Sequence, residues 1–398
     1  MKIALIAYNY SESTLPLVKY LAERNIDVDY YYITSIKDKE SYAFDFKKTI
    51  SKLGITPINM EYSNLKLYYE KYTGISLNLI RLFSRNKKYK FINRILLKFI
   101  SKKISNNNYD IINLVGQDDL FVYFHKYLKN EKIVHSLHEV ANHYVQQKTS
   151  FKIIDYLTDK GKHIIVHSNR SYNQLCENYK LNKEKVYVVN FGLFETYNLF
   201  NINDISLVKR EKGELYILFY GLLRKYKGLN TLINAISLID HLTPDLRIII
   251  AGQGDCDELL DINYNNKYII INKKLTNEEV AYLNVNSDVV LCPYTSASQS
   301  GIVMTSFVFN RPIVASSLES FRDVIIDGEN GLLVEPGSTQ SLAEAILKLY
   351  NDKPTLKKLQ KGVDNFSSST DYNWDNIALK TYNIYSNIVN GNNNQRMS

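Results

Sequence analysis

The chain has little of what staples or anchors a protein. It carries three cysteines, Cys176, Cys256 and Cys292, too few and too widely spaced for a disulfide framework or a zinc site, which fits a reducing compartment. No uncharged apolar run approaches the roughly 20 residues of a membrane span. The opening Met1-Lys2-Ile3-Ala4-Leu5-Ile6-Ala7-Tyr8 is too short and too strand-like for a signal peptide, so the expected location is cytoplasmic. Acidic residues are missing from the window 71–109, which holds ten Lys or Arg. The remainder carries 39 basic and 41 acidic residues, so this window alone turns a net −2 into the +8 of the whole chain.

What remains is ordinary globular material. Hydrophobic residues make up 45% and charged residues 23%, and 398 residues suit two domains better than one core. Strand-like apolar runs at Ile3–Ala7, Val28–Ile33, Ile111–Val115, Lys132–Leu137, Ile164–Val166 and Val186–Val189 are separated by helical stretches, the first near Leu15–Arg24. A second series follows at Leu215–Tyr220, Leu246–Ala251, Tyr268–Ile271, Asp288–Leu291 and Pro312–Ala315. This alternation predicts two α/β domains, each a mostly parallel, doubly wound sheet. The expected domains are 1–195 and 196–371, divided where Gly192 is followed by polar, weakly periodic sequence, with a helix near 372–390 packing back on the first and a disordered tail at 391–398.

The stretch Gly221-Leu222-Leu223-Arg224-Lys225-Tyr226-Lys227-Gly228 lies between an apolar strand and the helical run beginning at Leu229. Glycines at the carboxyl end of such a strand let a ligand approach the backbone, and Arg and Lys hold phosphate oxygens in complementary ways. Alone, the loop reads equally as a solvated connector. Further on, Ile250-Ala251-Gly252-Gln253-Gly254-Asp255 breaks a strand into a Gly-x-Gly turn, but the third glycine of a dinucleotide fingerprint is absent. The segment Ser296-Ala297-Ser298-Gln299-Ser300-Gly301-Ile302-Val303 predicts a helix start near Gly301, whose backbone donors suit phosphate. Asp327-Gly328-Glu329-Asn330-Gly331-Leu332-Leu333-Val334 sets turn signals around a short strand.

In order and spacing, these pieces resemble the donor-binding half of the GT-B glycosyltransferases, specifically the large retaining family 4. The resemblance reaches more weakly into the first half through Val134-His135-Ser136-Leu137-His138-Glu139, Ile164-Ile165-Val166-His167-Ser168 and Val188-Val189-Asn190-Phe191-Gly192, while residues 37–110 match little. It implies two facing Rossmann-like domains with a cleft between them and a nucleotide diphosphate sugar as donor. Catalytic roles then fall to Arg224 and Lys227 at the diphosphate and His138 at the donor sugar. Donor contacts extend to Gly221, Gly252, Gly254, Lys274, Gly301, Ile302 and Val303. The resemblance further implies retention of configuration, and the loop cations leave no need for a metal or other cofactor.

The chain departs from the pattern where the family has two glutamates, which align with Ser298 and Ser306. A serine offers a shorter, uncharged substitute, so Ser298, Gln299, Ser300 and Ser306 are expected as sugar, phosphate or ribose contacts. In the basic window, Ile92, Ile95, Leu96 and Phe99 share one helical face and Lys90, Arg94 and Lys98 another. This predicts contact with an anionic membrane surface, against the alternative of a packed helix with a solvated basic face. No nucleic-acid module surrounds these residues. The expected reaction is sugar transfer to a glycan, lipid-linked, in cell-surface polysaccharide synthesis; the alternatives are a nucleotide-sugar epimerase and an inactive glycosyltransferase-like partner protein.

Overall fold

The computed structural model describes residues 1–35, 52–58, 65–84, 89–140, 152–254, 266–296, 301–369 and 371–391. They divide into two compact units, Met1–Gly192 with Asp371–Ser398, and Leu193–Thr370. In chain order the first unit runs β1 (Lys2–Tyr8), α1 (Ser11–Ala22), β2 (Asp27–Ser35), β3 (Gly54–Pro57), α2 (Leu65–Tyr69), β4 (Ile75–Leu82), α3 (Lys90–Ser105), β5 (Ile111–Val115), α4 (Phe121–Tyr127), β6 (Ile133–Leu137), α5 (Lys152–Asp159), β7 (His163–Val166), α6 (Asn169–Asn178) and β8 (Val186–Val188). The second holds β9 (Leu215–Tyr220), α7 (Leu229–Ile239), β10 (Leu246–Ala251), β11 (Tyr268–Ile271), α8 (Asn277–Val285), β12 (Val289–Cys292), α9 (Gly301–Val308), β13 (Ile313–Ser316), α10 (Glu319–Arg322), β14 (Gly331–Val334), α11 (Thr339–Asn351) and α12 (Lys353–Ser369). The last helix, α13 (Trp374–Asn390), belongs to the first unit.

The first sheet has the order β3-β4-β2-β1-β5-β6-β7-β8 and is parallel except for β3 on β4. Ile3 to Ala7 of β1 are all buried, as a strand covered on both faces requires. One face packs Ile112, Leu114 and Ile133 against α3, α4 and α5 through Leu97, Ile104, Phe121 and Ile154. The other face carries Asn113 and Ser136, and there Asn113 Nδ2 donates to the Tyr385 hydroxyl of α13 at 2.6 Å. The strand order reverses at β1, between β2 and β5, which makes its carboxyl end a ligand-binding position of such sheets.

The second sheet, β11-β10-β9-β12-β13-β14, is parallel throughout and reverses at β9. Its core joins Ile217, Phe219, Ile248 and Leu291 to Leu232 and Ile236 of α7 and Ile346 of α11. A capping box at Thr276 and Glu279 starts α8, satisfying two backbone donors reciprocally.

In the basic window one strand and the place of Leu96 differ from the sequence reading. The basic window contains β4, whose alternating Ile75-Ser76-Leu77-Asn78-Leu79 pairs with β2. In α3 the face packed on the sheet is Leu97, Ile100, Ser101 and Ile104, with Leu96 half-buried. Ile92, Ile95 and Phe99 are exposed together with Phe91, the two phenylalanines at 68% and 72%. They therefore form a solvent-facing strip and do not share the packing face of the helix.

Candidate functional site

In the second unit, glycine places three strand ends in contact. Gly221 leaves β9 with φ +101°, and its amide donates to Ala251 O at 2.9 Å. Leu223 N donates to Gln253 O at 2.9 Å, so the loops after β9 and β10 run side by side. A Cβ on Gly252 would overlap the carbonyl oxygen of Gly221, and one on Gly254 would overlap that of Leu223. Asn272, just after β11, clasps Gly254 through both its amide nitrogen and its amide oxygen. The expected glycines thus act first as a condition of strand-end packing.

The cationic loop is anchored at its far end by Gly228, which has φ +75° and lies against Pro293 O where no Cβ fits. Thr295 closes the contact, donating from N and Oγ1 to Tyr226 O at 2.8 and 3.2 Å. Between these anchors Lys225–Lys227 forms one 3-10 turn. Lys227 is only 6% exposed; its Nζ donates to Tyr220 O at 3.3 Å and faces the ring of Tyr294 at 5.4 Å. Burial lowers its pKa, and the nearby Cys292 remains a thiol because burial pushes its pKa up to about 12. Arg224, at the start of the turn, is exposed.

Ile302, in the first turn of α9, reaches this loop, with its Cδ1 3.6 Å from where a Gly221 Cβ would stand. Gly301 is exposed beneath the edge of the Phe194 ring, and Val303 is buried. Lys274 is exposed beyond β11. Ser306 is fully buried, and its environment includes the equally buried Tyr220 hydroxyl. Its hydroxyl therefore lies inside the unit and not on its surface. Ser298, Gln299 and Ser300 lie outside the described residues. The structure thus brings Gly221, Gly252, Gly254, Lys227 and Ile302 together, leaves Arg224 and Lys274 on the surface, and adds Tyr226, Asn272 and Tyr294. Tyr226 and Tyr294 escape a sequence reading because aromatic residues of this kind carry no spacing signature.

In the first unit, His138 follows β6 and is 6% exposed. Asn9 and Tyr10 both adopt positive φ, at 63° and 61°, a conformation that strains side chains other than glycine. The turn lays the Tyr10 ring flat on His138, with centroids 3.4 Å apart. His138 also meets Phe191 at 4.5 Å and His167 at 4.9 Å, and Phe191 stacks on His167 at 3.9 Å. Burial drives the pKa of His138 well below its usual value and that of His167 down to about 4, so both rings are neutral. Among the described residues, no group of three or more His, Cys, Asp or Glu could hold a metal ion.

The family model described as Glycosyl transferases group 1 matches residues 214–352, which span the glycine-zipped strand ends, the Lys227 loop and α9. Residues 214–352 therefore form a group 1 glycosyltransferase domain. The chain is 24% identical over 390 residues to an uncharacterized glycosyltransferase of Methanocaldococcus jannaschii, covering 90% of this chain and 97% of that one. It is 22% identical over 229 residues to the capsular polysaccharide biosynthesis glycosyltransferase CapM of Staphylococcus aureus, covering 54% of this chain and 57% of that relative. Among solved structures it is similar to HepE of Anabaena in complex with UDP and glucose, at 15% identity and a TM-score of 0.64, over 97% of this chain and 99% of that one. The two parallel-sheet α/β units are those of the GT-B fold.

Proposed function

We propose that this glycosyltransferase moves a hexose-type sugar from a nucleotide diphosphate donor to a lipid-linked glycan acceptor in cell-surface polysaccharide synthesis, retaining the anomeric configuration. The observation that carries the reading is Lys227. Among the described residues the neighbours of this buried ammonium are a carbonyl, an aromatic face and a neutral thiol, none of them an anion, and the glycine-walled loop around it lets a diphosphate approach. HepE, which shares the fold, was captured with UDP and glucose, and CapM is named for capsular polysaccharide synthesis.

In this reaction the bond from the sugar's anomeric carbon to the β-phosphate oxygen breaks, and one from that carbon to the acceptor oxygen forms. The acceptor's proton passes to the departing phosphate. Lys227 stabilises the negative charge as it develops, supported by the amides of Gly301, Ile302 and Val303, with Arg224 as a second, exposed cation. His138 serves the donor sugar as a neutral hydrogen-bonding group. Lys227 supplies the charge with no metal, so turnover persists in EDTA.

The exposed strip of α3 supports a lipid-linked acceptor. Phe91, Ile95 and Phe99 recur every four residues beside Arg94, Lys98 and Lys102, and Lys90 adds a further cation. Apolar side chains flanked by cations suit an anionic bilayer surface. Among the described residues no helix is long and apolar enough to cross a membrane.

A thermal-shift series with UDP, GDP and ADP, followed by product analysis with the stabilising nucleotide's sugars, tests the reading. A nucleoside diphosphate that raises Tm in wild type but not in Lys227→Met is the expected result. Isomerised sugar formed from donor alone would identify an epimerase, and indifference to every nucleotide would identify an inactive homologue.

A further inference from the structure

His138 and His167 each present a buried Nε2 without a hydrogen-bond partner, and both rings line one narrow cavity of the first unit. The cavity lies between the sheet face that carries Asn113 and Ser136 and the helices α1 and α13. Its other polar side chains are largely engaged. Ser136 Oγ donates to Asn113 Oδ1, Asn113 Nδ2 donates to Tyr385, Thr14 Oγ1 donates to Tyr10 O, and Thr381 Oγ1 donates to Ile377 O. With the side chain of Asn190, which also lines the wall, the two imidazole nitrogens are the polar atoms left for a ligand.

The second nitrogen of His167 fixes what its Nε2 can do. Nδ1 lies 2.7 Å from Val189 O, a contact that only Nδ1–H can make. In a neutral ring, Nε2 is then an acceptor. No charged side chain lines the cavity, so a phosphate, carboxylate or ammonium would enter without a counter-ion. The free space admits a single hydroxyl arm and not a sugar ring. A hydroxyl is both donor and acceptor, so it can donate to His167 Nε2 while accepting from an Nε2–H of His138.

We propose that His167 is a hydroxyl-binding residue, whose Nε2, beside that of His138, accepts a hydrogen bond from one hydroxyl of an uncharged sugar or polyol. The inference deepens the sugar-transfer reading and rests on it for the choice of ligand class. It adds to that reading a second histidine, held by Val189 and the Phe191 ring in a fixed tautomer.

The test uses the full chain with 15N-labelled histidine, titrated with D-glucose and, separately, with inorganic phosphate. The expected result is a saturable movement of the His167 Nε2 resonance with glucose and none with phosphate, while the His125 and His135 signals stay still. His167→Phe keeps the stack on Phe191 and removes the acceptor. Glucose binding, followed at His138, should weaken by about tenfold in that variant. A His167 signal unmoved by glucose would overturn the proposal, and so would a Phe variant that binds as well as wild type. UDP-induced stabilisation is measured on the same samples; its absence beside an intact glucose response would sink the donor reading at Lys227 and uphold this one.

Discussion

Lys227 Nζ donates to the carbonyl oxygen of Tyr220, seven residues earlier, at 3.3 Å, folding the side chain back over the strand that leads into its own loop. The ammonium is thereby stored beside Gly221, whose lack of a Cβ leaves room for it. One carbonyl and one ring face are poor substitutes for water around a charge. The arrangement favours an incoming anion while giving the empty protein little in return.

Lys227→Met should therefore lower transfer by about 10²- to 10³-fold, the usual loss when one charge-stabilising donor is removed from a transition state. Removing a buried, unpaired charge costs the fold little, so Tm should stay level or rise. Turnover and thermal melting on the same preparation check both halves. A variant that turns over normally, or one that fails only because it unfolds, contradicts the assignment.

Gly252 and Gly328 separate packing from backbone strain. Both have positive φ, at 146° and 72°, but a Cβ at Gly252 strikes Gly221 O while one at Gly328 meets open space. Gly328→Ala should cost about 1–2 kcal/mol, the backbone penalty alone. Gly252→Ala should cost about 3 kcal/mol or more and part the β9 and β10 loops. Urea denaturation with equal slopes would resolve the difference.

Much of this architecture was legible in the sequence. The apolar runs at Ile3–Ala7 and Leu215–Tyr220 announced central parallel strands, because strands buried on both faces have no alternation to hide. The strand β4 alternates cleanly from Ile75 to Leu79, but the charge of the window around it masks the pattern. In α3 the grouping of Ile92, Ile95 and Phe99 on one exposed face holds and only Leu96 turns to the sheet; a helical period fits these residues equally well as a core face or as an exposed strip. Only the packing of Leu97, Ile100 and Ile104 decides between them. Similarly, the spacing that singled out Ser306 says nothing about depth, and its burial beside Tyr220 depends on the neighbouring strand.

The buried histidines predict acid sensitivity. His135 and His167 have pKa values pushed down to about 4 by burial, against 6.5 in the unfolded chain, so between those values the unfolded state binds more protons. Their contribution is complete above pH 6.5, declines as the pH falls through that window and is lost below about pH 4. Each amounts to on the order of 3 kcal/mol across the whole window. Denaturation midpoints from pH 7.5 to 4.5 should fall steadily. In His167→Phe the slope between pH 5 and 6 should be shallower by roughly 1 kcal/mol per pH unit.

The strip on α3 distinguishes membrane contact from a merely solvated basic face. Replacing Lys90, Arg94 and Lys98 with Gln should weaken sedimentation with phosphatidylserine-containing vesicles by about a hundredfold, at roughly 1 kcal/mol per cation. Phe91→Ser with Phe99→Ser should weaken it as well, a result that charge alone does not produce. Because these side chains are exposed, melting should be unchanged. Equal vesicle binding by wild type and both variants contradicts the docking surface.

Trp374 provides an optical reading of where α13 joins the first unit, because it is the chain's single tryptophan. A Cβ on Gly192 would overlap its indole, which also stacks on Tyr20 at 6.3 Å between centroids. Gly192→Ala must therefore displace the ring or the backbone, at a cost of about 1–3 kcal/mol. With its burial of 5% exposure disturbed, the indole should emit at longer wavelength. The same helix roofs the cavity of His138 and His167 through Trp374, Ile377 and Thr381, so the displacement should also weaken the glucose response of His167. A red-shifted emission with an unaltered glucose response would show that the cavity tolerates movement of its roof, and an unaltered emission would show that the Gly192 contact is not close.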